Sequence, residues 1–126
     1  MADPRVVAMI EDDPILRAPI ARALDEAGYA VLSAATSAEG LALLQDVRCD
    51  VAIIDIALPG HFDGVTLAEE ARRANPDLNI IFTSGKRPGG GRPLDDLGIF
   101  LQKPYRVGDL LLAVARLIRR AHGPTR

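Results

Sequence analysis

The chain has 126 residues, 48% hydrophobic and 25% charged, with a formal net charge of -2. That length supports one domain with its own core and is too short for two. The mild negative balance gives no electrostatic basis for nucleic-acid binding, which relies on clustered Lys and Arg neutralising phosphates. Apolar runs are short and punctuated, so none spans a membrane, and Met1-Ala2-Asp3-Pro4 leads into a strand without the pattern of a secretory signal. A cytoplasmic location is expected. The single cysteine, Cys49, excludes an internal disulfide and a multi-cysteine metal site, and with no paired histidine it reads as a packing residue. With only His61 and His122, a histidine-based zinc site is not expected.

In chain order, Arg5-Val6-Val7-Ala8-Met9-Ile10 is an apolar run ending in Glu11-Asp12-Asp13, which predicts a buried strand with acids at its carboxyl end. Asp13-Pro14 starts a helix, with a side-chain acceptor at the N-cap and proline at the first helical position. Leu16, Ile20, Leu24 and Ala27 recur at helical spacing until Gly28. Pro19 lacks the N–H for a backbone bond, so a bent or loosened first turn is expected. Tyr29 to Ala34 is a second strand. Thr36-Ser37-Ala38-Glu39 is a capping box that opens a helix running to about Gln45.

Val51-Ala52-Ile53-Ile54-Asp55 predicts a third strand, buried on both faces, that delivers a carboxylate into the turn Leu58-Pro59-Gly60. From position alone, Asp55 serves a turn or cap as well as it serves chemistry. Asp63-Gly64 opens a third helix through Leu67, Ala68 and Ala71, closed by Asn75-Pro76. Asn79-Ile80-Ile81-Phe82-Thr83 is a fourth strand. Three glycines and two prolines in Lys86–Pro93 disfavour regular structure and predict a loop, with at most a short helix around Leu94 to Leu97. Without a Gly-Lys-Ser/Thr ending, this loop does not read as a phosphate cradle. Ile99-Phe100-Leu101-Gln102 is a fifth strand, ending in Lys103-Pro104. Val107, Leu110, Leu111, Val114, Leu117, Ile118 and Ala121 form the apolar stripe of a last helix. Leu112 lies off that stripe, either as an isolated exposed leucine or as part of a partner surface. Arg116, Arg119 and Arg120 read as a solvated face near the negative end of the helix dipole.

Strands alternating with helices imply a doubly wound α/β fold with a parallel sheet and right-handed crossovers. In the flavodoxin-like order 2-1-3-4-5, strands one and three meet at the switch point where open α/β sheets place ligands. That order gathers Glu11 and Asp12, Asp55, Thr83 and Lys103 in one crevice. Three carboxylates together require a cation or raised pKa values, and an all-oxygen site suits Mg2+. A carboxylate nucleophile, a metal, a lysine and a hydroxyl donor together suit phosphoryl transfer.

At these residues the chain resembles the receiver domain of two-component response regulators, over essentially its whole length. The matching features are the acid pair before the first helix, Asp55 ending strand three, Leu58-Pro59 after it, Thr83-Ser84 after strand four and Lys103-Pro104-Tyr105 after strand five. The resemblance implies a single receiver unit over 1–126, with a core from about residue 5 to 121 and a frayed tail over 122–126. It implies Asp55 as phosphoacceptor, with Mg2+ or Mn2+ held by Glu11, Asp12, Asp55 and the backbone carbonyl of Ala57. Glu11-Asp12 aligns with the family's acid pair because Arg17 then falls at a frequent arginine of the first helix. Thr83 and Lys103 would contact the phosphoryl group, and Thr83 with Phe100 would form the switch. Implied partners are a sensor histidine kinase or histidine phosphotransfer protein and a downstream protein target, with no nucleic acid or membrane, in a monomer or weak dimer. The only chemistry implied is self-catalysed phosphotransfer and autodephosphorylation.

Two features depart from the family pattern. The turn Pro59–Gly64 is one residue longer than the commonest form, and the Gly-rich Lys86–Pro93 implies a shortened or disordered fourth helix. The alternative to a phosphoacceptor is a receiver-like scaffold that binds without phosphorylation. A Mg2+-dependent phosphatase resembling the haloacid dehalogenases would need a second aspartate two residues after the nucleophile, where this chain has Ala57. A flavodoxin-like electron carrier is opposed by Glu11, Asp12 and Asp13, which would repel a flavin phosphate.

Overall fold

Each apolar run becomes a strand and each amphipathic stretch a helix. The computed structural model describes residues 4–85, 94 and 96–122, except the side chains of 121 and 122. The elements are β1 (Val6–Ile10), α1 (Pro14–Glu26), β2 (Ala30–Ala34), α2 (Ser37–Asp46), β3 (Val51–Asp55), α3 (Gly64–Ala74), β4 (Asn79–Ser84), β5 (Ile99–Gln102) and α4 (Val107–His122). The strands pair in parallel in the order β2-β1-β3-β4-β5, as the alternation of patterns predicts. The expected shortened fourth helix falls on residues 86–93, outside the described residues. Between Leu94 and Leu97 there is no helix among the described residues, although Leu97 N and Gly98 N both donate to Leu94 O at 2.9 Å.

Because strand side chains alternate in direction, the sheet feeds two separate cores. Ala8, Ile10, Ala52, Ile54, Ile80 and Phe82 pack with Leu67, Ala68 and Ala71 of α3 and Leu44 of α2. Val7, Met9, Val51, Ile53 and Ile81 pack on the other face with Ile20 and Leu24 of α1 and Leu110, Val114 and Leu117 of α4. All five residues of β3 are buried, so this central strand is clamped from both sides. Cys49 is buried in the first core, in keeping with its packing role.

Side-chain caps set where the helices begin, each contributing about 1 kcal/mol. Asp13 Oδ1 accepts from Ile15 N at 2.9 Å, and Asp63 Oδ1 from Thr66 N at 2.8 Å. Thr36 Oγ1 accepts from Glu39 N at 3.2 Å, while Glu39 Oε1 reaches back to Ala35 N at 3.0 Å, one residue before the cap itself. α1 runs on through Pro19. Pro19 is exposed, so the carbonyl it leaves without a backbone donor lies on the side that water reaches.

Candidate functional site

The carboxyl ends of β1, β3, β4 and β5 converge on one group of polar side chains. The β1–β2 ladder extends one residue past β1, with Glu11 N donating to Ala34 O at 3.0 Å, and Glu11 is 2% exposed. Its Oε2 accepts from Asp13 N at 3.1 Å. Arg17, one turn into α1, donates from Nη1 to the carbonyls of Glu11 at 2.8 Å and Asp12 at 3.4 Å, bracing the acid turn from outside. Asp55 ends β3 and is 5% exposed, with Oδ1 accepting from Ala57 N at 3.0 Å. Thr83 is buried beside it as the register partner of Asp55, and its carbonyl accepts from Ile56 N at 2.9 Å. Lys103 leaves β5 with its N–H bonded to Ser84 O at 2.8 Å, and the Lys103-Pro104 peptide is cis.

Lys103 ties the two strand ends together. Its Nζ lies 2.7 Å from Glu11 Oε1 and 3.2 Å from Asp55 Oδ2. Burial works against the ammonium, but the hydrogen bond with Glu11 and the charge of Asp55 outweigh it, so Lys103 is held protonated above its ordinary range. Burial pushes the Glu11 carboxyl up, and the hydrogen bonds from Lys103 and Asp13 N–H only partly pull it back. Carboxylate oxygens of Glu11, Asp12 and Asp55 lie within 4.8 Å of one another. Two of these three acids, Glu11 and Asp55, pair with the one ammonium of Lys103, and the group carries excess negative charge facing an open rim at Asp12.

Of the residues singled out from sequence, Glu11, Asp12, Asp55 and Lys103 form this cluster, with Thr83 at its side. Ala57 joins it through its N–H. Phe100 sits elsewhere: it is half-buried against the core under α2 and α3, in register with Phe82 on β4. Sequence reasoning did not reveal that Glu11 is the enclosed acid and Asp12 the exposed one, nor that Lys103 bridges Glu11 as well as Asp55. It named Tyr105 in the motif after strand five but gave it no role; the buried Tyr105 hydroxyl has no hydrogen-bond partner among the described residues. Burial and the field of Glu11 push that phenol up to about 12. Its place two residues after Lys103 was the available signal.

Beside Lys103 an apolar cleft of about 510 Å³ runs between α1 and the Lys103–Val107 turn, lined by Ile15, Leu16, Pro19, Pro104 and Tyr105 among others. Ile15 on its rim is 80% exposed.

Comparison with known proteins agrees with this geometry. A family model for the response regulator receiver domain matches residues 7–115. The chain is 30% identical over 117 residues to the response regulator receiver protein CpdR of Brucella abortus, covering 89% of this chain and 95% of CpdR. It is 31% identical over 119 residues to the sensor kinase CckA of the same organism, covering 90% of this chain and 12% of the kinase. Among solved structures, a CheY-like response regulator receiver domain protein from Methanospirillum hungatei JF-1 superposes with a TM-score of 0.84 at 25% identity, covering 95% of this chain and 98% of that one. With a family match over most of its length and the parallel order β2-β1-β3-β4-β5 beneath it, the chain belongs to the response regulator receiver domain family of two-component systems.

Proposed function

We propose that the chain is a phosphorylation-dependent signalling receiver in which Asp55 accepts a phosphoryl group from a phosphohistidine on a sensor kinase or phosphotransfer protein. The observation that carries this reading is the Glu11–Lys103–Asp55 bridge: a nearly enclosed carboxylate at a sheet switch point, with an ammonium 3.2 Å away and a cluster of acids around it. In the transfer, an Asp55 carboxylate oxygen forms a bond to phosphorus while the phosphorus–nitrogen bond breaks and the imidazole leaves with its electron pair. Lys103 then exchanges its contact with the Asp55 carboxylate for one with a phosphoryl oxygen, and the Thr83 hydroxyl donates to another.

A divalent cation fits the excess negative charge that Lys103 leaves on Glu11, Asp12 and Asp55. Oxygen donors that leave room for several waters suit Mg2+ or Mn2+. Glu11, Asp12, Asp55 and the Ala57 carbonyl would hold it, and when bound it neutralises the acids and draws charge from the phosphoryl oxygens. Phe100 would read the state of the site: movement of Thr83 toward the phosphoryl group lets the ring turn inward, shifting the population between two packings around β5.

The apolar cleft beside Lys103 suits the flank of a helix that presents the phosphohistidine, because a partner seated there brings its donor to Asp55. A cytoplasmic location belongs to the same reading; among the described residues no helix is long and apolar enough to cross a membrane. Incubation with a small-molecule phosphodonor and Mg2+ tests the proposal. Acid-labile phosphate is expected on wild type and not on Asp55→Asn, and equal uptake by both proteins, or uptake by neither, would defeat it.

A further inference from the structure

The loop after Asp55 carries Ala57, passes over the first turn of α2 and returns to the end of β3, where Gly64 N donates to Ile56 O at 2.9 Å. Its start is tied by Ala57 N to Asp55 Oδ1 and by Ile56 N to Thr83 O. Its middle rests on the first turn of α2. There Ser37 N, one of the helix-terminal N–H groups with no intrahelical acceptor, donates to Pro59 O at 3.2 Å. Leu58, just before, is buried in the core under α2 and α3.

The contact at Gly60 is closer still. Gly60 has φ +126°, a conformation that L side chains rarely adopt, and a Cβ there would lie 2.3 Å from Ser37 Oγ. Ser37 is 0% exposed, and its hydroxyl has no hydrogen-bond partner among the described residues. A buried hydroxyl without a partner is costly, so its retention against the Gly60 backbone calls for an explanation beyond stability.

The same turn of α2 also presses on the other half of the site. A Cβ at Gly40 would lie 2.8 Å from Ile10 Cγ2, and Ile10 is the residue that leads into Glu11. Ala34, three residues before Ser37, accepts the N–H of Glu11. One short stretch of chain thus touches both the acid turn after β1 and the loop after β3.

We propose that the first turn of α2 is a positioning element for the acidic site, and that the seating of Gly60 on Ser37 sets the position of Ala57 relative to Glu11 and Asp12. The inference rests on the receiver reading for the role of Ala57, but the contact is testable without it. The extra residue in the Pro59–Gly64 turn is then absorbed beyond this seat and leaves the metal-facing part of the loop in place. Neither Ser37 nor Gly60 touches the reacting atoms; both act through the loop.

Gly60→Ala and Ser37→Val each fill the contact, the first from the loop and the second from the helix with Gly60 intact. Two readouts separate positioning from simple stability: Mg2+ affinity by calorimetry, and hydrogen exchange of the Ala57 amide in metal-free protein. Both variants are expected to weaken Mg2+ roughly tenfold, the size of effect seen when residues supporting a metal site are altered, and to speed Ala57 exchange. Ser37 has no exposed surface, so its hydroxyl cannot turn aside without displacing a neighbour. Gly60→Ala should therefore cost less Mg2+ affinity in a Ser37→Ala background than in wild type.

Ser37→Val decides the matter if Gly60→Ala does not fold. A lower melting temperature with Mg2+ affinity and Ala57 exchange both at wild-type values would overturn the proposal, as would an equal cost of Gly60→Ala in both backgrounds. If wild type itself binds no Mg2+, the proposed metal role of Glu11, Asp12 and Ala57 fails, and the exchange of Ala57 in the metal-free variants still decides the contact.

Discussion

β3 and β5 each end by delivering a site residue, yet they are built differently. β3 is central, and all five of its residues are buried between two cores. β5 is an edge strand, with Ile99 40% exposed, Phe100 and Leu101 half-buried and Gln102 exposed. Asp55 is thus mounted on the part of the sheet that cannot shift without breaking two packed faces, whereas Lys103 and Phe100 ride on a strand that, among the described residues, pairs with β4 alone. On the proposed reading that asymmetry has a use: the group that would take the phosphoryl charge is held fixed, and the elements that would respond have room to repack.

Paired truncations test the difference most strongly. Ile54→Ala, in the middle of β3, should destabilise the protein by about 3 kcal/mol, while Ile99→Ala on β5 should cost less than about 1 kcal/mol, both read from urea denaturation midpoints. Equal costs would mean that β5 is as firmly held as β3. Next in size, Lys103→Met leaves Glu11 and Asp55 without their shared cation and should cost about 2 kcal/mol in metal-free protein. Added Mg2+ should recover part of that loss, and a variant as stable as wild type without Mg2+ would show that the bridge contributes little.

The open side of the β5 exit predicts a smaller, selective effect. Ile15→Glu, on the rim of the cleft beside Lys103, should slow phosphotransfer from a protein phosphohistidine donor by about tenfold, close to 1.4 kcal/mol. Uptake from a small-molecule phosphodonor and stability should stay as in wild type, because Ile15 is exposed and outside the cores. Loss with both donors would place the effect in the site instead of the docking face.

The smallest effect is alkaline. Tyr105 titrates near 12 when folded, against about 10 in an unfolded chain. Its neutral phenol therefore contributes stability that is intact below pH 10 and is lost as pH rises through the folded value. Between pH 9 and 11 wild type should lose about 1 kcal/mol more than Tyr105→Phe, by urea midpoints at each pH. Parallel losses in the two proteins would show that Tyr105 does not contribute to the alkaline loss of stability.

The parts of this molecule that were legible in sequence are those where local pattern and tertiary role coincide. Val51–Ile54 is continuously apolar because it is buried on both faces, and Asp13, Thr36 and Asp63 cap helices through contacts two or three residues away. The site residues were legible because strand order alone brings strand ends together. What stayed hidden depends on packing between distant segments. Nothing local distinguishes Glu11 from Asp12, since the enclosure of one comes from the β2 ladder and from Lys103, ninety-two positions away. Ser37 looked like the second residue of a capping box and Gly60 like an ordinary turn glycine, and only their apposition shows that each is shaped to the other. The second strand begins at Ala30 instead of Tyr29, because β1 offers its first ladder partner there: Val6 pairs with Ala30.

Borohydride trapping identifies the phosphorylated residue, proposed to be Asp55, by its chemical product. Wild-type protein is treated with a small-molecule phosphodonor and Mg2+, reduced, digested and read by peptide mass spectrometry. An acyl phosphate at Asp55 is reduced to the alcohol, so homoserine is predicted at position 55 and unmodified aspartate at position 12. Homoserine at position 12, or none anywhere despite bound phosphate, would rule out Asp55 as the phosphoacceptor.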